Sequence, residues 1–302
     1  MMTTNSTERR FRYDTGGRWF KGNTHLHTTN SDGGKTCAEA AEMYASAGFD
    51  FLCATDHWVA SAVNETCPRD DILWLDGIEL DGHDETGARY HVVGLGKLTG
   101  ITREMGFAAA LAALRDQGAL TILAHPHWTG NSFDDALRWA FDGVEVYNHV
   151  CRWLNGKGDG VVYWSAMLQR NPATLAFAAD DAHLRPEHPG WNGGWIMVNA
   201  AERTPARLLD AIRRGNFYAS CGPEFRSIRF DGTHVKIETS AVQFVRLVGP
   251  AHLGQRLGSF DHQRLTSARF AVPVEWKYAY LEIEDEHSRR AWSNSLFVTI
   301  GT

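Results

Sequence analysis

The sequence sets imidazoles and carboxylates at short, repeated spacings. His25 and His27 stand two apart in WFKGNTHLHT, a segment with strand character, so both side chains project to one face and can share a metal ion. Such a pair also arises by chance on exposed strands, so the residues that follow decide its meaning. Asp32 lies in TTNSDGG, where two glycines let the loop turn sharply and aim a carboxylate back at the strand end; alone it reads equally as an Asp-Gly turn. His57 closes DFLCATDH, Glu79 closes ILWLDGIEL, and His125 closes an apolar run ahead of Pro126. His91 sits inside ARYHVVGLG and, taken alone, reads as a core histidine with a satisfied hydrogen bond. In TLAFAADDAH the two-residue spacing puts Asp181 and His183 on one face and turns Asp180 away, which selects Asp181 as the ligand.

Six imidazoles and three carboxylates are too many for one tetrahedral zinc and suit two or three ions bridged by a carboxylate. The mixture of His with Asp and Glu fits Mn, Zn or Fe(II) and disfavours Ca and Mg. Ions held roughly 3.5 to 4 Å apart acidify a bridging water and clamp the reacting oxygens, so the expected chemistry is hydrolysis by a metal-activated hydroxide. His183, His127 and His149 are the imidazoles considered for protonating the leaving group. Arg152, Lys157 and Arg185 lie just past the expected rim and are either contacts for an anionic substrate or solvated surface cations. The same choice between function and packing applies to Trp58, Trp128, Trp153, Trp191 and Trp195, whose rings suit an aryl group or base. Glu145, at the end of GVEVYN, is read as orienting its neighbours.

The elements that must position these groups alternate between short apolar runs and helical patterns from about residue 17 to 215, the rhythm of repeated βα units closing a parallel barrel or a curled sheet. CAEAAEMYASAG closes on Gly48, REMGFAAALAALRDQG on Gly118, and FDDALRWAF opens after the N-cap Ser132. Beyond Gly222-Pro223 the pattern alternates with period two, as half-buried antiparallel strands do. This divides the chain into a tail over 1–16, a metallohydrolase barrel over 17–222, and a small β-sandwich over 223–302.

Composition narrows the function further. Ten of the fourteen histidines fall between His25 and His188, and the five cysteines never pair as CxxC, which argues against a thiolate zinc site or a disulfide framework. A net charge of −6 gives no attraction for a long nucleic acid but is compatible with a small anionic substrate held by metals. No run of eighteen apolar residues exists and the start lacks the apolar core of a secretory signal, so the expected location is the cytoplasm, away from the membrane.

In order and spacing, THLHTTNSDGG, ATDHW, GIEL, His91, LAHPH, GVEVYN and DDAH resemble the motifs of the PHP (polymerase and histidinol phosphatase) superfamily. The opening KGNTHLHTTNSDGGKTCAEAAEMYASAGFDFLCATDHW is similar to the branch named after the CehA and McbA metallohydrolases, and NFYASCGPEF and RRAWSNSLFV resemble that branch's tail. The resemblance implies a distorted seven-stranded β/α barrel with three metal positions. His25, His27, Glu79 and Asp181 would hold the first, Glu79, His91 and His125 the second, and Asp32, His57 and His183 the third. Where this chain has Asp32, the histidinol phosphatase branch typically has histidine. It also implies a phosphoesterase acting on a small phosphorylated metabolite or nucleotide. The alternatives are a carbamate, ester or amide hydrolase using the same ions, and a non-catalytic metal-bound module.

Overall fold

The computed structural model describes residues 8–300, apart from 61 and 262. Its frame is a thirteen-stranded mixed sheet. The half that carries the histidine motifs runs, in spatial order, Arg18–Asn23, Phe51–Ala54, Leu73–His83, Arg89–Leu95, Leu120–Leu123, Gly143–Asn148 and Leu175–Ala179. Four of the six pairings in this stretch are parallel. Strand Arg89–Leu95 instead runs antiparallel to both neighbours, so the all-parallel expectation needs correction. Only residues 84–88 separate it from Leu73–His83, far fewer than the dozen or so that a parallel crossover requires. That link is a turn in which Asp84 Oδ1 accepts from Thr86 N, Thr86 Oγ1 and Ala88 N.

The chain just past the first and last strands of this stretch comes together. Just past strands Arg18–Asn23 and Leu175–Ala179, Asp181 N donates to His25 O and His27 N to Ala182 O, both at 2.9 Å, and Leu26 and Ala182 form a parallel bridge. One face of the curled sheet is filled by Phe20, Phe51, Leu75, Val93, Ile122 and Phe177. The ring of Phe51 occupies the space beside Gly22, where a Cβ would stand 2.1 Å from Cζ. This apolar packing lies below the strand ends and supports the polar groups above it.

Helices cover the other face. Cys37–Ser46 starts at Thr36, whose side chain and Glu39 form a reciprocal cap, and buries Ala40, Ala41 and Tyr44. Phe133–Arg138 is capped in the same way by Ser132 and Asp135. The helix expected from Arg103 begins later, at Phe107, because Gly106 takes φ +74 and separates it from a short 3-10 turn over Arg103–Met105. Phe107–Asp116 and Val161–Arg170 pack their apolar faces on Ile78, Leu80, Val92, Val144 and Val146.

The period-two region forms strands as expected, but the sheet does not stop at residue 223. Arg290–Ser293 pairs with Phe217–Ser220, and Tyr280–Glu284, Phe244–Val248 and Gly254–Leu257 extend the same sheet outward. A separate three-stranded sheet, Phe225–Phe230, His234–Val242 and Leu265–Ala271, shares a core with this extension through Val235, Ile237, Val245, Leu281 and Ile283. Of the expected tail, residues 1–7 lie outside the described residues. From Glu8 the chain is a strand paired with Phe297–Ile300. Alternation shows that strands form; it does not name their partners.

Candidate metal centre

His25, His27, Glu79, His91, His125 and Asp181 are all buried, whereas Asp32, His57 and His183 are partly open to solvent. Around one point, Glu79 Oε2 lies 3.3 Å from both His25 Nε2 and His27 Nε2. Asp181 Oδ1 lies 3.3 and 3.2 Å from the same two nitrogens. Ligands about 2.1 Å from a shared ion stand roughly 3.0 to 3.4 Å apart, so these four atoms have the mutual spacing of one coordination shell. Their other oxygens face a second point: Glu79 Oε1 is 3.5 Å and Asp181 Oδ2 3.6 Å from His125 Nε2. Asp32 faces a third group, with His183 Nε2 at 3.3 Å, His27 Nδ1 at 3.7 Å and His57 Nε2 at 4.0 Å.

A hydrogen-bond count supports the same view. His25 Nε2, His27 Nδ1, His57 Nδ1 and Glu79 Oε2 are buried and make no hydrogen bond among the described residues. Buried polar atoms are rarely left in that state, and here His25 Nε2 and His57 Nδ1 converge on Glu79 Oε2 while His27 Nδ1 faces Asp32. Potential ligand atoms gather within 4.8 Å in four overlapping groups: His27, Asp32, His57 and His183; His25, His27 and Asp181; His25, Glu79 and His125; His125, Cys151 and Asp181. The donor set therefore fits divalent metal ions.

Several elements hold these donors in place. Glu145 Oε1 is 2.7 Å from His25 Nδ1, and its Oε2 accepts from His125 N and Asn148 Nδ2. The carboxylate thus turns His25 Nε2 inward. Asp180 points away from the cluster and accepts from Asn23 Nδ2, Tyr44 Oη and the backbone N–H groups of Asn192, Gly193 and Gly194. Asp56 fastens the loop before Asp32 by accepting from Thr28 N, Thr28 Oγ1 and Ser31 Oγ. His125, Asp181, Trp58 and Leu184 have φ of 27°, 58°, 56° and 52°. Such backbone costs about 1 to 3 kcal/mol per residue and persists where surrounding contacts enforce it.

In the metal-free protein the charges compensate one another. Burial disfavours a charged His27, but its hydrogen bond with Asp181 and the nearby Glu79 carboxylate outweigh it and raise its pKa to about 9. His25 is raised further, against its burial, by Asp181, Glu79 and Glu145. Burial opposes ionisation of Glu79, yet His25 and His91 hold its carboxyl well below the ordinary range. Asp32 is lowered chiefly by its hydrogen bond with His183.

Some positions depart from the sequence reading. Glu79 does not end its strand, which continues to His83, and pairing with Val93 leaves it inside the curl. His91 stands opposite Asp81 and contacts Glu79 Oε1 at 2.8 Å, but it joins none of the four ligand groups. His127 is exposed on the short helix Pro126–Thr129, away from the inward-turned His125. His149 Nδ1 meets the Tyr147 hydroxyl at 3.1 Å. Of the three proposed proton donors, only His183 lies in the cluster. Arg185 approaches Asp32 at 3.5 Å, whereas Arg152 and Lys157 are exposed. Cys151 lies 3.9 Å from Asp181 Oδ2. Its position one turn after Asn148 in helix His149–Asn155 offered a signal only if Asn148 is recognised as the N-cap. Asp81, close to His57 and bonded to Arg103 and Trp58, also went unread.

Comparison with known proteins adds three findings, while no family model matches the chain. Over 98% of both chains the structure resembles a two-domain protein of Bacteroides vulgatus described as containing a predicted PHP-like metal-dependent phosphoesterase, with TM-score 0.53 and 16% identity. The fold is PHP-like. An amidohydrolase of Chromobacterium violaceum aligns less well, with TM-score 0.43 and 14% identity over 65% of this chain and 96% of that one. In sequence, 94 residues are 35% identical to the phosphoribosyl 1,2-cyclic phosphate 1,2-diphosphodiesterase of Eggerthella lenta, covering 30% of this chain and 33% of that protein. The match thus spans about a third of the curated relative's length. No helix among the described residues is long and apolar enough to cross a membrane.

Proposed function

We propose that this protein is a metal-dependent phosphoesterase acting on a small phosphorylated metabolite or nucleotide. The observation that carries the reading is the buried convergence of imidazole nitrogens on Glu79 and Asp181, with His25 Nε2 and Glu79 Oε2 left without a hydrogen bond among the described residues. The PHP-like fold and the short match to a cyclic phosphodiesterase point the same way. The strands from Arg18–Asn23 to Leu175–Ala179 form, in this reading, a distorted seven-stranded barrel closed at Leu26 and Ala182. The residues past 222 add a small sandwich to its side.

His25, His27, Glu79 and Asp181 would hold one ion. His125 with the second oxygens of Glu79 and Asp181 would hold another, with His91 supporting Glu79. Asp32, His57 and His183 would hold a third. When bound, these ions supply Lewis-acid polarisation of a phosphoryl group and an acidified water. Glu145 keeps His25 in the tautomer that presents Nε2. Arg185, beside Asp32 at the open edge, binds the anionic substrate. His183 is the imidazole positioned to exchange a proton there.

The test is hydrolysis after loading with Mn, Zn or Fe, read as phosphate release from nucleotides, as ring-opened monoester from cyclic phosphates and as p-nitrophenol from bis(p-nitrophenyl) phosphate, with aryl carbamates and amides in parallel. Turnover of the phosphoesters, lost in Asp181→Ala, is the expected result. Turnover of carbamates or amides alone would overturn the phosphoesterase reading.

A further inference from the structure

A cleft of about 490 Å³ lies at the end of the sheet away from the metal cluster, lined by Arg10, Arg12, Asp14, Arg213 and Arg214 among others. It sits beside Ala173, just before strand Leu175–Ala179, while Asp181 lies past that strand's other end. Eight residues of near-extended chain put the two sites on the order of 20 Å apart.

Arg12 is the unusual member. Its side chain is buried, and among the described residues its hydrogen-bond partners are carbonyls and no carboxylate pairs with it. Nε donates to Ser295 O at 2.8 Å, Nη1 to Arg214 O at 3.0 Å and Nη2 to Ala173 O at 3.5 Å. A guanidinium has five N–H groups, so two remain for another acceptor. The carbonyls satisfy hydrogen bonds but bring no compensating charge, and a buried cation without a counter-ion is costly. Burial pushes its pKa down to about 10, and the like charge of Arg10 adds to the fall.

The surroundings deepen the imbalance. Arg213 donates to Gly118 O, and Arg214 pairs with Asp210. An adjoining cleft shares Asp14 and Arg214 and adds Arg18 and Arg207. Together the two clefts gather six arginines against Asp14 and Asp210, in a chain whose net charge is −6. Arg213 and Arg214 also complement the C-terminal end of helix Pro205–Arg214. That role explains neither the buried Arg12 nor the exposed Arg10 beside it.

We infer that this cleft binds a phosphate-type anion, as inorganic phosphate or as the phosphate of a small molecule, with Arg12 as buried anchor and Arg10 and Arg213 at the mouth. The planar guanidinium fork matches phosphate oxygens, and the exposed pair adds attraction without needing to be desolvated. The site is independent of the metal cluster and of the reaction proposed there.

Calorimetric titration of the full chain in chelator, with inorganic phosphate in one arm and ribose 5-phosphate in the other, tests this. Wild type is expected to bind one anion. Arg10→Glu with Arg213→Glu, both at exposed positions, should weaken binding by about tenfold or more, the loss expected for reversing two charged contacts. His27→Ala should leave it within about twofold. Tighter binding of ribose 5-phosphate would identify a phosphorylated metabolite, and equal binding the free anion; either supports the site. Binding that survives the double reversal, that disappears in His27→Ala, or that is absent in wild type for both probes would overturn it.

Discussion

Glu145→Gln tests the construction of the metal centre with almost no change in volume. In the native site three donors meet two carboxylate oxygens: His25 Nδ1 on Oε1, and His125 N and Asn148 Nδ2 on Oε2. A glutamine offers one oxygen and one amino group. Keeping the two bonds at Oε2 turns the amino group toward His25 Nδ1 and favours the tautomer with the proton on Nε2, the atom that faces Glu79 and Asp181. Binding an ion at that point then requires moving a proton or rotating the ring. Loss of such an orienting carboxylate typically weakens metal affinity 10- to 100-fold, or about 1.4 to 2.7 kcal/mol. Competition against a chelator of known affinity, using Zn or Mn, measures the change directly. Circular dichroism of the metal-free variant checks that the fold persists. Affinity within about twofold of wild type in a folded variant would refute the orienting role of Glu145.

Other expectations follow from the same geometry. His25→Ala and Asp181→Ala should each lose bound metal and activity while remaining folded; full metal stoichiometry in both would show the cluster to be misassigned. Metal affinity should rise with pH between 7 and 9 by about one decade per unit for each proton expelled, because His27 holds its proton to about 9 without metal and must release it to bind. A flat affinity across that range would contradict the proton count. The same shift makes stability at His27 fully present below the unfolded histidine pKa and lost as pH rises through about 9, so the Tm of the metal-free protein should carry a falling contribution over that window. Phe177→Ala, emptying a fully buried site packed on Phe217, should cost about 3 to 5 kcal/mol in urea denaturation. A loss below about 1 kcal/mol would show that this ring does not fill the core under the cluster.

The residues that gather in the cluster are legible from residue type and local spacing. His25 with His27, and Asp181 with His183, share faces over two residues, which a single sequence can express. Asp180 was separable from Asp181 for the same reason, and its five donors come from the opposite side. What did not read out was direction and partnership. The reversal of Arg89–Leu95 hides in a five-residue turn, although the brevity of that link was itself a signal. The continuation of the sheet through Arg290–Ser293 depends on pairing with Phe217–Ser220, some seventy residues away, which alternation alone does not encode. Cys151 reaches the cluster only because Asn148 caps a helix directly after its strand.

The metal-free cluster also explains how the fold can form around so many buried ionisable groups. Glu79, Asp181 and Glu145 would be prohibitive as isolated buried anions, but each faces imidazoles within 2.7 to 3.6 Å. Raised pKa values at His25 and His27 mean that protons supply the compensating charge before metal arrives. Metal binding therefore exchanges protons for ions at a site already shaped by Glu145, Asp180 and Asp56, rather than gathering scattered ligands. The left-handed backbone at His125 and Asp181 fits that order of events, since it is enforced by contacts outside the ligand atoms: His125 N on Glu145 and Asp181 N on His25 O. On this account metal removal lowers stability by the binding free energy alone, about 4 kcal/mol at a thousandfold excess of ligand over its Kd. Chelation that unfolded the protein outright at room temperature would show instead that the ions, not the compensating protons, hold these elements together.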